Sequence, residues 1–520
     1  MKKILTAVAM LVLLQAINSC QLHEDFNGSL NGDSVGSGGG KADALLTGAY
    51  NSMRGPFEGN VSAFALAEVT TDERIMPTRG PDWDDNGKWR QLHQHQWTGD
   101  NEQVINTFNG LGGIIYSATD LLRYNPTPQQ AAEARFLRAY GMYWMLDFFD
   151  QVPYREPGES VIDPSKVRKG PEALAFIISE VNAIQKDLPD GPAGRANKDA
   201  ARALLMKCYL NKGVYTNRAT PTFDAADMNS VIKLADEIIS SNRYSFTPNY
   251  FDNFAPNNTA IGKENIFTDE NIGGTTGSDM SHHWFFVSHY NTTISGYNGP
   301  ATTGAFYDKF EATDKRRGDA YMSPSGPPNP GNRITVGFLA GQQYDLITDA
   351  PVKSRSGAPL IYTKEVSIIE TGKNLESTGI RPIKYAADYV NGASYRADND
   401  LVRFRLADVL LMKAEAILRG GTATSAGSYG GSALEIVNSI RTDPSRGASA
   451  LAALTPEVLL DERGRELYNE MWRRQDLIRF GKFLLPIEGK PGTSASTYLI
   501  FAIPSQQLAV NSNLVQNPGY

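Results

Sequence analysis

The stretch at residues 455–481, TPEVLLDERGRELYNEMWRRQDLIRFG, constrains the fold more than any other part of the chain. Thr455 is a preferred residue for the start of a helix, and Pro456 suits the first helical turn. Gly481 is typical of the position just after a helix ends. A continuous stripe is formed by residues that recur every four positions, namely Leu459, Arg463, Leu467 and Met471. We therefore predict one long capped helix, packed against other helices on both flanks.

Helical periodicity extends over much of the chain. Within residues 455–481, the pairs Asp461/Arg465 and Glu470/Arg474 place an acid four residues before a base, the favoured direction on a helix. Other helical segments are predicted at residues 43–50, 104–124, 131–153, 171–188, 199–211, 224–241, 401–419 and 433–441. Residues 243–384 are richer in aromatic residues, Gly, Asn, Thr and Pro, which indicates irregular structure. We predict a predominantly all-α fold with long irregular loops.

The length of the chain bears on its domain organisation. A chain of 520 residues would correspond to three domains at about 150 residues each. Helical arrays exceed that size because they add units to one continuous core. Arg135 and Arg202 lie 67 residues apart, close to twice the tetratricopeptide period of about 34 residues. We therefore predict a single domain at residues 41–520, built on a superhelical scaffold of tetratricopeptide-like helix pairs.

The N-terminus predicts export and lipidation. Lys2 and Lys3 precede an apolar run at residues 4–16, which is too short to span a bilayer and has the length of a signal-peptide core. The run ends at Ile-Asn-Ser-Cys, which resembles a lipobox, so we predict a signal peptide at residues 1–19 and lipidation of Cys20. An ordinary secretory signal with an incidental cysteine is the alternative. Residues 20–40 are rich in Gly and Ser and predict a flexible tether.

Charge and cysteine content exclude several classes of protein. Without Lys2 and Lys3, 48 basic residues remain against 57 acidic ones, and no basic excess is available to attract nucleic acid. Besides Cys20 the chain has one cysteine, Cys208, in an apolar helical run. We predict that Cys208 is a buried apolar residue and that no disulfide framework exists.

Aromatic residues concentrate in two polar segments. Residues 72–101 carry three of the six tryptophans beside many acids, and residues 282–297 carry Trp284 and Tyr297. Aromatic faces with planar polar side chains suit sugar rings and their hydroxyl groups. Each tryptophan could instead be a buried plug. We predict this for Trp89, and we place Trp144 and Trp472 on core helices.

The C-terminal stretch carries a family fingerprint. The pattern E-R-x-x-E-L followed by W-R-R-x-D-L-x-R-F-G, which ends at Gly481, resembles the signature helix of the SusD/RagB family of Bacteroidetes outer-membrane nutrient-binding lipoproteins. The block at residues 399–421, the closing residues 501–520 and AEARFLRA at residues 132–139 also resemble family segments. The family usually has Glu-Gly where this chain has Glu470-Met471.

The resemblance implies a location, a partner and a site. A member of this family is expected to be a lipid-anchored protein of the outer membrane, exposed on the cell surface. It would capture an oligosaccharide and deliver it to a SusC-like TonB-dependent transporter. The N-terminal part would cover residues 41–320 and the C-terminal RagB/SusD part residues 321–520. The ligand-binding residues carried over from the family are Asp72, Arg79, Trp83, Trp97, Trp284 and Tyr297.

Three other functions remain open from the sequence: peptide capture of the RagB type, a surface glycoside hydrolase, and a purely structural assembly protein. The chain has no P-loop and no CxxC signature, and its one GxSxG match, at residues 32–36, lies in the predicted tether and is not an elbow between a strand and a helix. We therefore predict a protein that is not an enzyme. Asp82, Asp84, Asn86 and Gly87 match the first half of a calcium loop, but position twelve is His93 where a Glu is needed. We predict no cofactor and no metal site, with calcium as the weaker alternative.

Overall fold

Helices dominate the computed structural model, which describes residues 40–520. The first nine helices are α1 (Gly40–Phe57), α2 (Ser62–Glu68), α3 (Lys88–His93), α4 (Glu102–Leu121), α5 (Pro128–Phe149), α6 (Gly170–Ile184), α7 (Lys198–Leu210), α8 (Lys212–Thr216) and α9 (Ala225–Ser240). Three single-turn helices follow, α10 (Asn258–Ile261), α11 (His282–Phe285) and α12 (Gly304–Tyr307). The C-terminal helices are α13 (Leu406–Leu418), α14 (Ala433–Arg441), α15 (Pro456–Leu467), α16 (Arg473–Arg479) and α17 (Ser505–Val510). The predicted helical class is confirmed.

Eleven short strands form small sheets within the described residues. They are β1 (Thr78–Arg79), β2 (Gln151–Tyr154), β3 (Lys166–Lys169), β4 (Asn265–Asp269), β5 (Gly318–Asp319), β6 (Val336–Leu339), β7 (Gly341–Gln342), β8 (Ile361–Tyr362), β9 (Ile369–Glu370), β10 (Arg381–Ile383) and β11 (Leu401–Arg405). β1 pairs with β9 in parallel. The antiparallel pairs are β2–β3, β4–β11 and β7–β8, and β6 lies between β5 and β10.

Consecutive helices pack against one another and share one core. α4 packs on α5, α5 on α6, and α6 on α7; α9 then contacts both α7 and α13. Thr127 starts α5 with a capping box that it forms with Gln130. The indole of Trp144 in α5 stacks on Trp472 at 5.2 Å between ring centroids, so the two halves of the chain meet in the core. Both tryptophans and Cys208 are buried as predicted.

The stretch at residues 455–481 is two helices rather than the one predicted. Thr455 caps α15 through the backbone N–H of Val458, as expected. α15 ends at Leu467, and Asn469 and Met471 then adopt positive φ angles of 55° and 70° before α16 begins. Gly481 has φ 67° and follows α16, and the Lys482 N–H donates to Leu477 O at 2.7 Å, which completes a Schellman cap.

The two predicted ion pairs within this stretch do not form. Asp461 accepts from Lys309 at 2.6 Å instead of pairing with Arg465. Glu470 accepts from Lys384 and Arg405, and Arg474 donates to Asp147 at 2.8 Å. These partners are distant in sequence because α16 and most of α15 after its first turn are buried against other parts of the chain. Most charged residues of this stretch therefore lie in the interior, where they pair with distant segments.

Two further boundaries differ from prediction. Residues 401–405 form β11 instead of the first turn of a helix, because the buried strand β4 lies beside them and satisfies their backbone groups. Residues 72–101, for which no helix was predicted, contain β1, a 3₁₀ turn at Asp85–Gly87 and α3.

The described chain forms one unit from Ala42 to Tyr520. Over residues 40–520, no helix has both the length and the apolar character needed to cross a membrane. The predicted signal peptide and Cys20 lie outside the described residues.

Candidate ligand-binding site

Five aromatic side chains meet at the surface of the loop-rich region, and we call them the aromatic patch: Trp83, His282, Phe286, Tyr297 and Tyr395. Phe286 is central, with its ring centroid 5.2 Å from Trp83, 4.4 Å from His282 and 5.9 Å from Tyr297. Tyr297 is 46% exposed and Tyr395 is 38% exposed. Side chains of this size are usually more deeply buried. The patch is therefore a group of aromatic rings that solvent can reach.

Left-handed backbone presents two of these rings. Trp83 has φ 62° in the loop after β1, and Tyr395 has φ 54° directly after the 3₁₀ turn Gly392–Ser394. This conformation costs about 1–2 kcal/mol for a residue with a Cβ atom. Such residues persist where the surroundings hold them, and they cluster at functional sites.

Specific contacts hold Trp83 in place. Its indole Nε1–H donates to the backbone oxygen of Tyr297 at 2.8 Å. The indole also rests on Gly299, where a Cβ atom would lie only 2.3 Å from two ring carbons. Glycine at position 299 is therefore required for this close approach, and the indole is fixed between the two loops.

A hydrogen bond links the two tyrosines of the patch. The hydroxyl oxygens of Tyr297 and Tyr395 lie 3.2 Å apart. This hydrogen bond, together with partial burial, raises the pKa of Tyr395 above its ordinary value. The Tyr395 hydroxyl therefore remains protonated at neutral pH. Because only one hydroxyl hydrogen is used between the two rings, the pair can donate the other to a ligand.

A charged edge adjoins the patch beside Trp83. Asp82 accepts from the Tyr290 hydroxyl at 2.8 Å and from Arg355 at 3.1 Å. Arg355, half exposed, lies 4.0 Å above the Tyr290 ring and also donates to Glu376 at 2.6 Å. Burial raises the pKa of Tyr290 to about 12, and its bond to Asp82 adds to the effect. Burial alone would raise the pKa of Glu376, but hydrogen bonds from His289 and Arg355 lower it.

Trp83 and Tyr297 are the two predicted site residues that the structure brings together at the surface. Arg79, Trp97 and Trp284 are each 1% exposed, so none of these three predicted residues is open to solvent at the aromatic patch. Trp97 donates to the Tyr520 hydroxyl at 2.6 Å and packs on Phe501. Trp89 is buried as predicted, and it donates to Asp85 at 2.6 Å.

Arg79 and Asp72 have structural partners. The Arg79 guanidinium donates to the backbone oxygens of Gly299, Leu375 and Thr378 at 3.2, 2.6 and 3.0 Å. Arg79 therefore stabilises the loop at Gly299, on which the Trp83 indole packs. Asp72 accepts two hydrogen bonds from Arg473, at 2.8 and 2.7 Å. That ion pair joins the segment to α16 and occupies both carboxylate oxygens.

Sequence reasoning missed His282, Phe286, Tyr395 and Arg355. His282 and Phe286 lie inside the predicted segment 282–297, so the segment was identified, but Tyr297 was the one patch residue named within it. Tyr395 follows Asn-Gly-Ala-Ser, a turn sequence that could have signalled a residue held in a tight bend. Arg355 had no signal, because its position depends on Asp82 and Glu376 from two other loops.

The acids of the calcium-like motif point to different partners. Asp82 binds Tyr290 and Arg355, Asp84 pairs with Arg90, and Asp85 accepts from Trp89. Over the described residues, no group of three His, Cys, Asp or Glu side chains is placed to hold a metal ion.

The fold and the surface together define a protein with a scaffold of helix pairs whose loops present a cluster of exposed aromatic rings. The chain belongs to the SusD family, whose model matches residues 234–498. It is 28% identical over 508 residues to the starch-binding protein SusD of Bacteroides thetaiotaomicron, covering 88% of this chain and 85% of that one. It is 24% identical to SusD-like protein P2 of Formosa agariphila, over 99% of both chains.

Solved structures share the fold. Surface glycan-binding protein A from Bacteroides thetaiotaomicron, in complex with laminarihexaose, superposes with a TM-score of 0.68 at 18% identity, over 92% of this chain and 99% of that one. A SusD superfamily protein from Parabacteroides distasonis gives a TM-score of 0.70 at 19% identity, again over 92% and 99%.

Proposed function

We propose that this protein binds an oligosaccharide at the aromatic patch on the cell surface and delivers it to a SusC-like TonB-dependent transporter. The observation that carries the proposal is the exposure of Tyr297 and Tyr395 beside the fixed indole of Trp83. Flat aromatic faces bury the apolar side of a sugar ring at low entropic cost, because such side chains have few rotatable bonds.

Polar groups around the patch suit sugar hydroxyl groups. Asp82 accepts hydrogen bonds, Arg355 donates them, and the hydroxyl groups of Tyr297 and Tyr395 do both. Arg355 and Asp82 already bind each other at 3.1 Å, so a hydroxyl group that bridges them would keep both ions paired. Such an edge would fix the orientation of a ring that the aromatic faces hold less specifically.

The relatives support a glycan as the ligand class. The relative from Bacteroides thetaiotaomicron is named a starch-binding protein, and one structural neighbour was solved with laminarihexaose. Both proteins are named for the glycans they bind, and we propose that this protein also binds a glycan without catalytic turnover. Sustained release of reducing ends from a polysaccharide by the purified protein would contradict that part of the proposal.

Membrane attachment and the partner complete the proposal. The N-terminal pattern that ends at Cys20 supports lipid anchoring to the outer membrane, and residues 20–40 would serve as the tether. A tether raises the effective concentration of the binding site at the transporter, which offsets weak binding of each sugar unit. The variant Cys20→Ala should move from the membrane fraction to the soluble fraction, and continued membrane association would argue against the anchor.

Affinity electrophoresis tests the patch directly. Native gels containing starch or laminarin should retard the wild-type protein, and Trp83→Ala should restore free migration because the indole face is lost. Tyr116→Ala is the matched control, since Tyr116 is an exposed aromatic residue on α4. Equal retardation of Trp83→Ala and wild type would remove the patch from the binding site.

A further inference from the structure

A separate cavity of about 290 Å³ lies between residues 284–294 and the segment at residues 321–346. Trp284, buried and unavailable to the aromatic patch, forms part of its wall. The Trp284 indole also packs against Gly392, where a Cβ atom would lie 2.8 Å from a ring carbon. Gly392 begins the turn that precedes Tyr395, so this turn links the cavity wall to the patch.

Polar groups without partners line the cavity. Ser288 and Ser323 are 6% and 8% exposed, and their hydroxyl groups make no hydrogen bond to any described residue. The Tyr389 hydroxyl also has no protein partner over the described range, and burial raises its pKa to about 12. Because none of the three hydroxyl groups is paired with another described residue, each can form a hydrogen bond to a molecule in the cavity.

The cavity offers no free charge. Arg333 is the one charged side chain among its described lining residues, and it donates to both oxygens of Asp349 at 2.7 and 3.1 Å. The guanidinium also lies 3.4 Å above the Tyr344 ring. An ionised ligand would therefore lose its hydration without gaining a counter-ion.

We propose that this cavity is a second binding site, which takes one uncharged sugar unit. Its volume is at the lower limit of small-molecule sites, which begin at about 300 Å³, and this limits the occupant to about one ring. The walls are aromatic at Trp284, Tyr344 and Tyr389, and the free hydroxyl groups suit neutral hydroxyl partners. The choice of a sugar over another neutral polyol rests on the proposed function.

Fluorine NMR of protein labelled with 5-fluorotryptophan separates the two sites, because Trp284 reports on the cavity and Trp83 on the patch. The six signals are assigned with single Trp→Phe variants. Glucose, galactose, mannose, xylose and arabinose are titrated individually, with glucuronic acid as the charged counterpart. At least one neutral sugar should shift the Trp284 signal, whereas glucuronic acid should not.

Two variants in the cavity test the second site, and one tyrosine variant in the patch is the matched control. Tyr389→Ala should weaken the Trp284 response about tenfold by removing a ring and a hydroxyl group, and Ser323→Leu should abolish it by filling the cavity. Tyr395→Ala should leave the Trp284 response intact. A Trp284 response that survives both cavity variants, or the absence of any response to all five neutral sugars, would overturn the second site.

Longer ligands distinguish the source of the sugar unit. A branched oligosaccharide that shifts the Trp83 and Trp284 signals at the same concentration would place a side branch in the cavity. If a linear oligosaccharide shifts only Trp83 while a free monosaccharide shifts Trp284, the cavity takes a separate small sugar. If no ligand of either kind shifts the Trp284 signal while some ligand shifts Trp83, the cavity alone is refuted. If no ligand shifts the Trp83 signal while some ligand shifts Trp284, the patch alone is refuted.

Discussion

Around Glu466 in α15 the protein buries its charges, whereas around Trp83 it leaves aromatic rings in contact with solvent. Glu466 accepts from Arg316, Arg405 and Arg446 at 2.9, 2.7 and 2.7 Å, and all four side chains are inaccessible. At the aromatic patch, left-handed backbone at Trp83 and Tyr395 holds rings at the surface. Residues that identify the family thus stabilise the interior, and the residues proposed to bind ligand come from loops outside the fingerprint.

The largest effect is expected from breaking the buried ion cluster. Glu466→Gln keeps the shape of the side chain but removes the charge that three buried arginines share, so it should lower the free energy of unfolding by about 3–5 kcal/mol. Chemical denaturation measures the change. Glu457→Gln on the same helix is the control, because Glu457 is exposed and lies 3.6 Å from Lys482.

A loss below about 1 kcal/mol for Glu466→Gln, similar to that of an exposed ion pair, would contradict the contrast between the two regions. It would mean that the arginines find other partners or water when the carboxylate is neutralised. Yield of folded protein is a second measure, since the variant should accumulate less than Glu457→Gln.

A second comparison uses two buried glutamates with opposite pKa shifts. Burial would raise the pKa of Glu466, but the arginines lower it well below its ordinary value. Glu58, which lies beneath the patch and accepts from the Asp279 N–H at 3.3 Å, has its pKa raised to about 8 by burial and by Asp269. Because Glu58 holds its proton more tightly when folded, its contribution is full below pH 4.5 and is lost as the pH rises to about 8.

Glu58→Gln should remove that part of the pH dependence. Relative to wild type, the variant should gain stability steadily from pH 5 to pH 8, by at most about 1.4 kcal/mol per pH unit. Denaturation curves across this range measure the difference, with Glu457→Gln as the control that should run parallel to wild type. A difference between variant and wild type that stays constant with pH would show that Glu58 is ionised in the folded protein.

Local signals in the sequence were sufficient for much of the helical scaffold. Thr455 begins α15 and Gly481 follows the end of α16, as predicted for a helix start and a helix end. Both could be predicted because capping depends on neighbouring backbone groups. The break after Leu467 could not be predicted, because it depends on partners such as Lys384 and Arg405, which bind Glu470 from distant segments.

The candidate site was predictable only to the level of segments. Both loops were identified by their tryptophans, but Trp83 and Trp97 have similar polar neighbours in the sequence. Trp97 is buried because Tyr520, at the other end of the chain, accepts its indole hydrogen bond. Whether an aromatic ring is exposed therefore depends on contacts with residues that are distant in the sequence, and residue spacing does not reveal these contacts.

The smallest expected effect on stability tests why the patch retains left-handed backbone at Tyr395. Asparagine tolerates this conformation better than tyrosine, so Tyr395→Asn should leave the free energy of unfolding unchanged or raise it by up to about 1 kcal/mol. The same variant should lose retardation in starch or laminarin gels, because an exposed ring is removed.

Tyr297→Asn is the control: it also removes an exposed ring, but Tyr297 is not among the residues with positive φ, so no strain is relieved. If Tyr395→Asn instead lost more stability than Tyr297→Asn, the Tyr395 ring would be a structural support, and the distinction between a paired interior and a strained binding surface would fail at this residue.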